Sequence, residues 1–161
     1  MDSKIYRYKF RPLEFLDLRF FNFVRNSAAP FLHDQRHFSL DETIQWFEKG
    51  PPSSYWIVEM KEIRIGYFRC LALDSSTVMI GADLHLDFQG KGFAKSMYQA
   101  FAKSILVPQG FTTCTLRVLR SNERARRLYL KLGFIQTSET AEELSMKMKV
   151  EDLANGTIAP R

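Results

Sequence analysis

Apolar residues along this chain keep two rhythms, one of two residues and one of three to four. Residues 4–10 alternate loosely and predict a short first strand. Pro12 suits a helix start, and Leu13, Leu16, Phe20 and Phe23 recur at helical spacing to about Asn26, where Ala28-Ala29-Pro30 breaks the pattern. Ser39 with Glu42 three residues later reads as a capping box. It opens a second helix with Leu40, Ile44 and Phe47 on its core face, stopped by Gly50-Pro51-Pro52.

Strand-like runs follow at 55–60, 65–73 and 77–86, separated by Lys61-Glu62 and Asp74-Ser75-Ser76. In the last of these Val78, Ile80, Ala82, Leu84 and Leu86 share one face, and Met79, Gly81, Asp83 and His85 the other. A third helix carries Ala94, Met97, Tyr98, Phe101 and Ile105 on one side. After a strand at 113–119, Ala125, Leu128, Tyr129 and Leu132 form the stripe of a fourth helix, with Asn122 near its start and Gly133 at its C′ position. Strands at 134–138 and 143–150 end the pattern, and the tail from Asn155 reads as loose. The order β-α-α-β-β-β-α-β-α-β-β predicts an α/β (α+β) domain over residues 1–154, built on one mixed sheet with helices on both faces.

Composition narrows the class. The chain has 161 residues, enough for one full core, with 45% hydrophobic and 25% charged residues and 14 Phe. No run approaches the roughly 18 apolar residues of a membrane span, and the first residues lack an apolar signal segment, so a cytoplasmic location is expected. Cys70 and Cys114 each sit in a strand-like run, too few for a disulfide framework or metal site, and read as buried thiols. The net charge of +5 suits an anionic partner. Its excess gathers at Arg117, Arg120, Arg124, Arg126, Arg127 and Lys131, part of which a solvated helix face explains without nucleic acid.

The first chemical signal is Gln89-Gly90-Lys91-Gly92-Phe93-Ala94, a glycine turn between a strand and a helix. Unpaired N–H groups at such a helix start, together with the helix dipole, favour an anion such as a diphosphate. The second is Asn122-x-x-Ala125-x-x-Leu128-Tyr129-x-x-x-Gly133-Phe134. Six positions at fixed spacing, in the right order after the glycine turn, resemble the GNAT superfamily of acetyl-CoA-dependent N-acetyltransferases, strongly over about residues 77–137.

The resemblance implies the GNAT fold, a mostly antiparallel sheet whose fourth and fifth strands splay apart, with acetyl-CoA as co-substrate. The pantetheine of the cofactor would bond to the strand around Leu84. The backbone of Gln89, Gly90, Lys91, Gly92, Phe93, Ala94 and Lys95 would cradle the pyrophosphate, with Lys91 and Lys95 adding field. Asn122 would bond pantetheine, cap its helix, or do both. Tyr129 would protonate the leaving thiolate, or serve only as a core aromatic.

The position that in many relatives holds a glutamate base is Arg117 here, and an arginine cannot accept a proton at neutral pH. The remaining candidates for the base are Asp83 and His85, directly or through a water. His33, Asp34 and His37 lie before the second helix, in a region that often lines the acceptor site of this fold.

Neutralising a lysine-like amine of pKa near 10.4 at pH 7 costs about 4.6 kcal/mol, against about 1.4 for an α-amine near 8. A site lacking a strong base therefore suits a low-pKa amine. Arg25-Asn26 and the stretch from Phe38 to Phe47 are similar to enzymes acetylating nucleotide-linked amino sugars, where Trp46 and Trp56 would stack on a base or sugar unless they belong to the core. The expected acceptor is such a small molecule. The alternatives are a protein N-terminus, as for ribosomal-protein acetyltransferases, or a CoA-binding module without chemistry. A monomer or homodimer with no metal is expected.

Overall fold

All seven strand-like runs form strands in the computed structural model, which describes residues 7–157. They are β1 (Tyr8–Pro12), β2 (Ser54–Met60), β3 (Ile63–Ala72), β4 (Thr77–Leu84), β5 (Thr113–Leu119), β6 (Ile135–Glu139) and β7 (Glu143–Lys149). The sheet order is β1-β2-β3-β4-β5-β7-β6, and among the described residues only β4 and β5 are parallel. The helices are α1 (Leu18–Ala28), α2 (Leu40–Glu48), α3 (Phe93–Phe101), α4 (Glu123–Leu132) and α5 (Val150–Asn155).

Helices lie on both faces. On one, Met97, Tyr98 and Phe101 of α3, Tyr129 and Leu132 of α4 and Leu153 of α5 bury against Phe68, Ile80, Leu116 and Met146. Phe68 and Phe101 stack at 3.9 Å. On the other, Phe21 and Val24 of α1 pack on Ile57 and Tyr67, and Trp46 of α2 stacks flat on Phe21 at 5.3 Å. Trp56 meets Phe101 edge-on. Both tryptophans therefore take part in packing. Cys70 and Cys114 are buried free thiols, pushed up to about 12 chiefly by burial.

The capping box at Ser39 forms: Ser39 Oγ accepts from the Glu42 N–H at 3.1 Å and Glu42 Oε2 from the Ser39 N–H at 2.7 Å. Three expectations need correction. Pro12 ends edge strand β1 rather than opening a helix, a place where its missing N–H costs no ladder bond; residues 4–6 of the expected strand lie outside the described residues. Helix α1 starts at Leu18, and its buried face is Leu18, Phe21, Val24 and Ala28, whereas Leu16 and Phe23 are exposed.

The cause of that phase is Asp17. It is buried and accepts hydrogen bonds from Arg11 Nη1 (2.6 Å), Arg11 Nη2 (2.8 Å), Arg64 Nη1 (3.2 Å) and the Glu14 N–H (2.9 Å). Burial pushes its carboxyl up, but these bonds more than offset that and hold it below the usual range. Thirdly, β7 stops at Lys149, and α5 starts at Val150, where the end of the strand is expected. Val150 and Leu153 are fully buried, and Gly156 closes the helix with φ of 68°.

Candidate active site

Strands β4 and β5 pair only from Thr77↔Thr113 to Met79↔Thr115. Beyond that, β4 stays paired with β3 as far as Leu84, and β5 with β7 as far as Leu119. The result is a slot in an otherwise continuous sheet, edged by strand backbone that has lost one ladder neighbour. The alternation of β4 ends at Leu84, and residues 86–88 form a tight turn capped by His85.

The glycine turn lies at one end of this slot. Gly90 and Gly92 have φ of 71° and 81°, and Gly92 is the N-cap of α3 with no side chain to cap it. A Cβ at Gly92 would meet nothing within 4 Å, so the turn is open. Exposed Lys91 and Lys95 flank it, while Phe93 and Ala94 are half-buried. A Cβ at Gly90 would lie 3.3 Å from Nη2 of Arg124, so a guanidinium from the first turn of α4 also reaches the turn. In the sequence Arg124 is one more charge on a basic helix, and its role depends on α3 and α4 lying side by side. Gln89 turns its amide back, Nε2 donating to the Leu84 carbonyl at 2.9 Å, and so ties the turn to the strand. Asn122 caps α4, its Oδ1 accepting from the Ala125 N–H at 3.2 Å.

Tyr129 and Asp83 stand beside the slot on opposite faces of the sheet. Tyr129 is buried, its hydroxyl 3.2 Å from that of Tyr98. Burial raises its pKa, against the hydrogen bond of Tyr98, so the phenol stays protonated at neutral pH. Asp83 is half-buried beside Tyr67, whose hydroxyl donates to Oδ2 at 2.5 Å. Burial pushes this carboxyl up, opposed by the Tyr67 bond and by the charges of Arg69 and Arg25, and the balance lies above the usual carboxylate range.

His85 leaves the same strand and lies against Phe20 (6.1 Å) and Phe23 (5.0 Å) of α1. Its Nδ1 accepts the Asp87 N–H at 3.1 Å, which places the proton of the neutral ring on Nε2.

The loop before α2 is clamped by Arg25, which donates to the carbonyls of Asp34 and Arg36 and lies over the Phe38 ring, and by Asn26, which exchanges hydrogen bonds with Phe38. Of the three loop residues expected near the acceptor, His33 reaches Glu143 at the start of β7. Asp34 pairs with Arg36 at 2.6 Å, and His37 lines a groove of about 390 Å³ between α1 and α2. Arg117 is half-exposed, 3.7 Å from the other Glu143 oxygen. In the sequence Glu143 is only the polar member of an alternating strand. Its place by the slot appears once β7 is seen to pair with β5.

Residues 7–135 match the family model of the acetyltransferase (GNAT) domain. The chain belongs to the GNAT acetyltransferase family. It is therefore an acyltransferase, an acetyl-CoA-dependent N-acetyltransferase, rather than a CoA-binding module without chemistry. No curated protein sequence matches this GNAT chain. Its fold is similar to the spermidine N-acetyltransferase SpeG of Vibrio cholerae solved in complex with CoA and spermine, at 21% identity over 91% of this chain and 97% of that one, TM-score 0.76. A domain from Methanocaldococcus jannaschii is similar at 20% identity over 90% and 99%, TM-score 0.77. Among the described residues no helix is long and apolar enough to cross a membrane.

Proposed function

We propose that this GNAT enzyme acetylates a low-pKa primary amine on a small molecule, best a nucleotide-linked amino sugar, by direct transfer with both substrates bound. The state of the carboxylates on the α1–α2 side of the slot supports this most. Asp83 is held by Tyr67, Asp34 by Arg36, and Glu143 by His33. A polyamine presents several ammonium groups, and each of these carboxylates already has a partner.

The residues present fit CoA. The open turn at Gly90–Gly92, the uncapped start of α3 and the cations Lys91, Lys95 and Arg124 suit its phosphates, and the edge of β4 that β5 leaves unpaired on the way to Leu84 suits the amides of its pantetheine. Asn122 has Nδ2 left to donate beside that path. Acetyl-CoA, when bound, supplies the thioester-activated acetyl group. Asp83 takes the proton the amine must lose, its raised pKa making it a better base. Tyr129 holds a proton at Oη for the departing sulfur, with Tyr98 positioning it. His85 forms an aromatic wall with Phe20 and Phe23 and offers Nε2–H as a donor.

A peptide N-terminus is the second reading, favoured by exposed Phe23 and Leu86 beside His85 as seats for an apolar side chain. Initial rates of CoA release, with acetyl-CoA and glucosamine both varied, test direct transfer. Intersecting lines and an unmodified protein mass after acetyl-CoA alone are expected. Parallel lines with an acetylated protein would overturn it.

A further inference from the structure

The slot carries cations that the chemistry above does not use. Arg69 of β3 lies on the α1–α2 face, paired in register with Tyr55 on one side and Gly81 on the other. Its guanidinium lies across Gly81, with Nη2 3.1 Å from where a Cβ on that residue would sit. The glycine is thus the seat of an arginine head, at the edge of β4 that faces the slot. The charge of Arg69 reaches Asp83 on this face and Tyr129 beyond the sheet.

On the opposite bank, continuing the parallel register two residues past Met79↔Thr115 brings Arg117 level with Gly81. Arg117 is on the same face, since its neighbours Leu116 and Val118 point into the α3 core. It is half-exposed, and its one ion pair among the described residues is long, 3.7 Å to Glu143, which also meets His33. Two guanidinium groups therefore flank the slot from its two sides, both on the face from which an acceptor would approach Asp83.

We propose that Arg69 and Arg117 form an oxyanion subsite that binds a phosphate or carboxylate group of the acceptor and so positions its amine beside Asp83. The proposal rests on the acetyl-transfer reading of this slot. Guanidinium is suited to both oxyanions, because its planar fork donates two parallel hydrogen bonds. The position that could hold a base instead holds part of a specificity site.

Two readouts test this on the full chain. The first compares kcat/KM, referred to the unprotonated amine, for anionic and neutral acceptors: UDP-glucosamine against methyl glucosaminide for phosphate, and alanine against alaninamide for carboxylate. The anionic member of at least one pair is expected to be preferred, and Arg69→Met or Arg117→Met should cut that preference by about tenfold or more. Gly81→Ala, which crowds the Arg69 head, should cut it in the same direction.

The second readout needs no turnover: calorimetric binding of UDP-glucosamine and of alanine to protein saturated with CoA, so that the glycine turn is filled. Binding weakened by about tenfold in either arginine variant supports the subsite even if no amine is acetylated, in which case the acetyl-transfer reading alone fails. Acetylation without anionic preference, binding equal in wild type and both variants, or no binding of either probe would overturn the subsite.

Discussion

Replacing Tyr129 with Phe separates a catalytic hydroxyl from a structural one, because Tyr98 provides the control. The two hydroxyls lie 3.2 Å apart and both side chains are buried. Removing either oxygen leaves the other without that partner, a penalty of about 1–3 kcal/mol in stability for each variant. The two variants should therefore melt at similar temperatures below wild type. They should differ in rate. Loss of a positioned proton donor lowers kcat by roughly 10²–10⁴-fold, so Tyr129→Phe should fall in that range with little change in acetyl-CoA KM. Tyr98→Phe keeps the donor and loses only its positioning, and should fall far less. Steady-state CoA release with both substrates saturating, beside thermal melts, gives both quantities. Equal rate losses in the two variants, or unchanged turnover in Tyr129→Phe, would refute the assignment.

Asp17→Ala should destabilise the fold by about 3 kcal/mol, the low end for breaking a buried ion pair, since Arg11 keeps Glu59 at 2.8 Å. Because the folded carboxyl lies below its unfolded value, wild type holds this stabilisation above pH about 4 and loses it as pH falls through the folded pKa. The variant should show a flatter acid limb in denaturant melts, and an identical limb would contradict the role. Asp83 accepts a proton only when ionised, so kcat/KM should fall as pH drops through its raised pKa; Asp83→Asn should lower the rate and remove that limb. Arg124→Met should weaken CoA binding by about tenfold in calorimetry while leaving the affinity for pantetheine unchanged. Equal losses for both ligands would place Arg124 away from the phosphates.

What the sequence makes legible is local. The glycine turn, the Asn122 cap, the Tyr129 stripe and the Ser39–Glu42 box each depend on residues within one turn or one helix, and spacing alone reveals them. The phase of α1 is not local. Leu16, Phe20 and Phe23 are as apolar as Leu18, Phe21 and Val24, and the choice between them falls to Asp17, whose partners Arg11 and Arg64 come from β1 and β3. Helix α5 hides for another reason: its six residues are too few to show a period, and burial of Val150 and Leu153 against the α3 side holds it. Arg69, Arg124 and Glu143 look like ordinary surface charges until strand pairing and helix packing bring them to the slot. Thus the cofactor half of the site can be read from motifs, whereas the acceptor half is assembled from long-range contacts.

The acceptor is the decisive property of this enzyme. With acetyl-CoA saturating, kcat/KM should be compared for a nucleoside-diphosphate-linked 4-amino sugar and for spermidine, each product confirmed by mass as the N-acetyl derivative. A higher value for the amino sugar is predicted. Faster acetylation of spermidine would contradict it.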